Sequence, residues 1–131
     1  MTHPAVHTDR APKAIGPYSQ AKTVDLGGGR RLIFSAGQLG LDPATGQFAP
    51  GGVEEQTRQA LQNLTAVLEA AGAGWEHVVK TVIFMADMKD FGVVNPIYGE
   101  YVPDPPPARS TVAVKELPMG GLIEIEVVAV V

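Results

Sequence analysis

The sequence predicts an α+β sandwich, one mixed sheet with two helices packed on one face, in the order β-β-α-β-α-β-β. Three observations predict it. Val53 to Ala71 repeats apolar residues at three- and four-residue steps. Five other stretches are β-branched or alternate apolar with polar residues. Clusters of Gly, Pro, Asp and Thr separate them. Helices that follow and interleave with strands in this order are accommodated by layering both on one side of a sheet.

Tyr18 to Leu26 reads as the first strand, Gly27-Gly28-Gly29 as a turn and Arg31 to Ala36 as the second strand of a hairpin. The loop LDPATGQFAPGG follows. In the first helix Ala60, Leu61, Leu64, Val67, Leu68 and Ala71 form one apolar stripe. Glu54 and Glu55 sit in its first turn, where negative charge suits the helix dipole, and Gly72 offers a stop. His77 to Ala86 is a buried strand by composition. Asp90 is placed as the cap of a second helix running to about Tyr101. Pro96 would cost that helix an internal hydrogen bond, so a break is expected there, with Pro96 near the first turn of the main segment. After the rigid PDPPP connector come strands Ala108 to Lys115 and Leu122 to Val130, with LPMGG as the turn between them. The expectation is one domain over 1–131, with 1–14 an extended N-terminal segment.

Composition narrows the function. The 131 residues are 45% hydrophobic and 18% charged, ordinary for a globular core. With no cysteine, thiolate metal sites, disulfides and cysteine nucleophiles are excluded. The N-terminal stretch has no apolar run of signal-peptide length, so no membrane partner and a cytoplasmic setting are expected. A net charge of −4 with scattered Lys and Arg argues against nucleic acid as a partner. No metal site is expected from the histidines, Gly27-Gly28-Gly29 lacks the setting of a phosphate loop, and Ser35 lacks a Gly-x-Ser-x-Gly context. His3 and His7 fall in the N-terminal segment, and His77 at a strand boundary.

The last two strands carry the informative pattern. By alternation Ile123, Ile125 and Val127 share one face, and Glu124 and Glu126 the other. Ser110, Val112 and Val114 are expected to face the helices as well, leaving Arg109 and Thr111 beside the glutamates on the uncovered side. A guanidinium beside carboxylates at a protein–protein seam would suit a small anion. An ordinary cross-strand ion pair is the competing reading.

The blocks IGPYSQA at 15–21, SAGQLGLDPATG at 35–46, QTRQALQNLTAVLEAAG at 56–72, VVKTVIFMADMKDFGVVNPIYGEY at 78–101 and PARSTVAVKELPMGGLIEIEVVAV at 107–130 resemble the RidA/YjgF family in order and spacing. The resemblance covers nearly the whole chain. It implies a chorismate-mutase-like fold, a homotrimer with pockets at subunit interfaces, and an enamine/imine deaminase. The implied ligands are small 2-imino or 2-oxo carboxylates such as 2-iminobutanoate and 2-iminopropanoate, and no cofactor. Arg109 matches the arginine that holds the substrate carboxylate, and Glu124 the residue that positions the attacking water. Tyr18, Gly37 and Asn95 match pocket-lining positions. Where many members have Ser before the Gly-Gln pair this chain has Ala36, and where many have Cys two residues after the arginine it has Thr111; both positions bear on substrate preference. Two other readings accompany this one: a small-carboxylate-binding regulatory module, and the endoribonuclease or translation inhibitor named for some relatives.

Overall fold

The computed structural model describes residues 3–131. Its elements are β1 (Ala5–Val6), β2 (Ala21–Gly27), β3 (Arg30–Ser35), β4 (Gln38–Leu39), α1 (Val53–Ala70), β5 (Val78–Met85), α2 (Phe91–Gly99), β6 (Ala108–Ala113) and β7 (Ile123–Val130). The sheet runs β1-β2-β3-β7-β5-β6, with β4 pairing β7 beyond the end of β3. Among the described residues only β5 and β6 pair in parallel. Both helices lie on one face, as the apolar stripes require.

The core is the apolar stripe of α1 set against alternate residues of the central strands. Leu61, Leu64, Val67 and Leu68 are buried, as are Ile33, Ile83, Met85, Ile123, Ile125 and Val127. Truncating one of these leucines to alanine would cost about 2–5 kcal/mol through lost transfer energy and the cavity left behind. Helix α1 stops where Gly72 takes φ +80. Ala73 N–H then reaches Leu68 O at 2.9 Å and Gly72 N–H reaches Glu69 O at 3.0 Å, the pairing of a Schellman cap.

Three local expectations change. The first strand starts at Ala21, leaving Tyr18 in the preceding loop, and two short strands, β1 and β4, were not foreseen because two-residue runs carry no periodicity. Helix α2 does not break: Pro96 sits inside it. The Asp90 side chain makes no cap bond; Asp87 accepts from Lys89 N–H at 2.9 Å and caps the short 3-10 turn leading into α2. The N-terminal segment is tied down, through β1 on β2 and through the buried Gln20 amide. Gln20 accepts from Thr8 N–H at 2.7 Å and donates to Thr8 O at 3.0 Å and Pro12 O at 2.9 Å.

The larger correction concerns the last two strands, which are not neighbours. Strand β5 lies between them, antiparallel to β7 and parallel to β6. LPMGG therefore belongs to a crossover passing the end of β5. The register also reverses the expected faces of β6. Arg109 pairs with the buried Thr81 and Thr111 with the buried Ile83, so both point to the helix side. Ser110 and Val112 pair with Val82 and Phe84 and point away from the helices. That open face also carries Phe34 and Val128, paired across β3 and β7, together with Glu124 and Glu126. No helix among the described residues is long and apolar enough to cross a membrane.

Candidate functional site in two halves

The first half is built on β6 and α2. Arg109 lies on the edge strand, its guanidinium 5.0 Å from the Tyr98 ring centroid and 5.2 Å from that of Phe91. Its Nη1 donates to Asn95 Oδ1 at 2.8 Å. Phe91, Asn95 and Tyr98 fall at steps of four and three residues, which places them along one face of α2. Tyr98 is itself fixed: its hydroxyl shares a 2.7 Å hydrogen bond with Thr81 Oγ1 in the buried layer. Two aromatic faces and one amide thus hold a planar cation in a set orientation. Among the described residues Arg109 has no carboxylate partner, so its fork is open to a ligand. Thr111, next along the same face, has a buried Oγ1 with no hydrogen-bond partner among the described residues.

The second half lies on the opposite side of the sheet. Glu124 on β7 faces a cavity of about 600 Å³. Tyr18, Gly37 and Gln38 share the lining with it, and Leu39, Leu41, Pro43 and Met119 make it largely apolar. The break between β3 and β4 opens this space. There Ser35 Oγ accepts from Val127 N–H at 2.9 Å, satisfying a strand donor that lacks its ladder partner. The buried Asn63 of α1 donates to Leu39 O at 3.1 Å and Leu41 O at 2.9 Å and so fixes the cavity floor. Gly40 packs directly on the backbone of Gln56. Burial lifts the Glu124 carboxyl above the usual carboxylate range, and Glu126 on the same face lifts it further.

The sequence residues thus divide into Arg109, Asn95 and Thr111 on one side and Glu124, Tyr18 and Gly37 on the other. The expectation that Arg109 stands beside the glutamates within one chain is overturned. With β5 between them and a register offset of three residues, their Cα atoms are on the order of 14 Å apart. Their side chains also point to opposite faces. Phe91 and Tyr98, which hold Arg109, and Ile15 and Met119, which line the cavity, were not singled out from the sequence. An aromatic residue four positions before Asn95 and another three after it was the available signal for the first pair. The second pair lies in loops, where periodicity says nothing.

The family model described as Endoribonuclease L-PSP matches residues 8–131. The mouse 2-iminobutanoate/2-iminopropanoate deaminase is 51% identical over 125 residues, covering 95% of this chain and 89% of that protein. A putative endoribonuclease from Thermotoga maritima superposes with a TM-score of 0.92 at 46% identity, covering 99% of this chain and 98% of that one. The RidA protein of an Antarctic Psychrobacter gives a TM-score of 0.88 at 38% identity, covering 98% and 99%. Sequence blocks, layer order and matched length agree along almost the whole chain, and the protein belongs to the RidA/YjgF family.

Proposed function

We propose that the protein hydrolyses 2-imino acids, 2-iminobutanoate and 2-iminopropanoate among them, to 2-oxo acids and ammonia. The observation that carries this reading is the Arg109 guanidinium, clamped by two rings and an amide with no carboxylate among the described residues to neutralise it. Such a fork binds a substrate carboxylate through two parallel hydrogen bonds. About half identity to deaminases acting on these imines supports the same chemistry.

The site is completed by assembly. Arg109 and Glu124 of one chain cannot both reach a four-carbon molecule, so the arginine face of one protomer meets the Glu124 cavity of the next in a homotrimer. The open sheet face supports this arrangement: Phe34 and Val112 are each 44% exposed there, with no layer of the described residues over them. Tyr18 and Gly37 line the pocket from the glutamate side, and Asn95 and Thr111 shape it from the arginine side. The cytoplasm, where pyridoxal-phosphate enzymes release such imines, is the proposed setting.

The imine carbon is already electrophilic. Arg109 fixes the carboxylate and hence the face presented to water. Glu124 takes a proton from water as the oxygen bonds to carbon, and passes it to the imine nitrogen. The resulting carbinolamine collapses: the hydroxyl electrons form the carbonyl, the C–N bond breaks, and the hydroxyl proton travels through Glu124 to the departing ammonia. One carboxyl thus relays a proton from oxygen to nitrogen in each step, a task suited to a pKa raised toward neutrality. A ribonuclease reading is not favoured, since Lys13 is the one cationic residue of the cavity lining and the chain carries a net charge of −4. The deciding assay generates the imine with an amino-acid dehydratase and follows oxo-acid release with and without the protein. No acceleration above spontaneous hydrolysis would leave a carboxylate-binding module instead.

A further inference from the structure

Met119 occupies a backbone position that favours glycine. It has φ 60° and ψ 16°, in the left-handed region, within the turn Pro118–Gly120. It is the only non-glycine residue with positive φ among those described, and two glycines follow it. Methionine carries a steric penalty there that glycine does not. Burial in the core of its own chain does not compensate, because the residue is 57% exposed there. A strained residue that persists outside the core points to a functional constraint.

The side chain lines the cavity that holds Glu124. Ile15, itself 78% exposed, lines the same cavity from the N-terminal segment. The turn that carries Met119 is seated firmly. Gly121 N–H donates to Pro118 O at 3.1 Å, and a Cβ at Gly121 would lie 2.8 Å from Leu39 Cδ2 on the cavity floor. The left-handed turn thus sets a flexible thioether residue in the wall of the largely apolar cavity that also holds the Glu124 carboxyl group. Cavities of about 300–1,000 Å³ enclose drug-sized molecules, far larger than a four-carbon imino acid. At about 600 Å³ before the neighbouring protomer's arginine face closes on it, this one offers apolar room beyond a four-carbon molecule.

We propose that Met119 is a specificity-determining residue. With Ile15 it closes a lobe for the side chain of the substrate and selects 2-imino acids with unbranched apolar chains longer than four carbons. The proposal rests on the deaminase reading given above. An unbranched, polarizable side chain adapts to linear hydrocarbon without a fixed shape. Each added methylene that the lobe buries should raise kcat/KM by about fourfold.

The test compares the six-carbon imine made from norleucine with the four-carbon imine, in wild type, Met119→Gly and Met119→Asn. Both replacements favour the left-handed backbone, so the turn is kept. Wild type should prefer the six-carbon imine by about tenfold or more, and both variants should lose most of that preference. An equal loss on both substrates, or an unchanged ratio, overturns the proposal. Calorimetric binding of 2-oxohexanoate against 2-oxobutanoate asks the same question without turnover. Absent catalysis with a Met119-dependent preference for the longer oxo acid would sink the deaminase reading alone. Turnover with no such preference would sink this proposal alone.

Discussion

The Cα of Gly37 lies against the carboxyl group of Glu124. A Cβ built on Gly37 would stand 2.7 Å from Cδ, 2.8 Å from Cγ and 3.0 Å from Oε2 of that glutamate. Gly37 does not adopt a positive φ, so what it provides is room. Gly37→Ala should leave the fold intact and push the carboxyl group aside. A displacement near 1 Å is expected to lower kcat by on the order of a hundredfold. Kinetics together with a thermal melt check this; wild-type kcat in a folded variant would show that Glu124 does not need its present position.

Glu124→Gln should lower kcat by on the order of 10²–10⁴-fold with a small change in KM, whereas Glu126→Gln should spare kcat at neutral pH. Glutamine keeps size and one acceptor but relays no proton. The reverse ranking of the two variants would move the catalytic assignment two residues along β7.

The acid limb of kcat/KM should lie above the usual carboxylate range, because Glu124 must be ionised and its pKa is raised by burial first and Glu126 second. Glu126→Gln removes the second cause and should move the limb to lower pH. Stability follows the same sign. A folded-state pKa above the unfolded value means that the native state holds more protons between the two, so stability falls as pH rises through that window. Glu124→Gln should therefore raise Tm at neutral pH, and the gain should vanish below about pH 4. A melt series across pH in both proteins would expose an error in either direction.

Arg109→Ala and Glu124→Gln should each be nearly inactive, yet complement when co-assembled. In a randomly mixed cyclic assembly about a quarter of the interfaces would pair an intact arginine with an intact glutamate. Co-expression with two affinity tags isolates the mixed species for assay. Activity no greater than the sum of the single variants would place the whole site within one protomer.

Thr111→Ser should retain most of the deaminase activity, while Thr111→Val should raise stability by about 1 kcal/mol, because it removes a buried hydroxyl that has no partner. Denaturant unfolding and the coupled assay are read together. A hundredfold activity loss in folded Thr111→Val would mean that the hydroxyl touches substrate.

How much of this was legible in the sequence depends on the range of the interaction. Helix α1, the β2–β3 hairpin and β5 were written in local periodicity and turn residues, and they formed where expected, save that β2 starts at Ala21 rather than Tyr18. The partner of β6 was not. Its short link to β7 reads as a hairpin, but β5 fits between them with Thr81, Ile83 and Met85 toward the helices, and burial of that row decides the order. One wrong neighbour was enough to place Arg109 on the wrong face. Tyr18, Gly37 and Asn95 came from the family likeness alone, since no spacing rule reaches across a sheet. The Gly37–Glu124 contact joins residues far apart in the chain and becomes visible only when β4 is laid on β7.

Gln20 has a consequence beyond stability. This one buried amide stitches Thr8 and Pro12 to the start of β2, and the segment it holds goes on to supply Pro12, Lys13 and Ile15 to the cavity wall. Replacing Gln20 with alanine would leave those backbone groups unpaired while the α1 core stays packed, so the segment should detach before the domain melts. Arg10 and Lys13 would then be open to trypsin under native conditions. That wall of the pocket is thus held in place partly by a side chain that does not itself line the cavity.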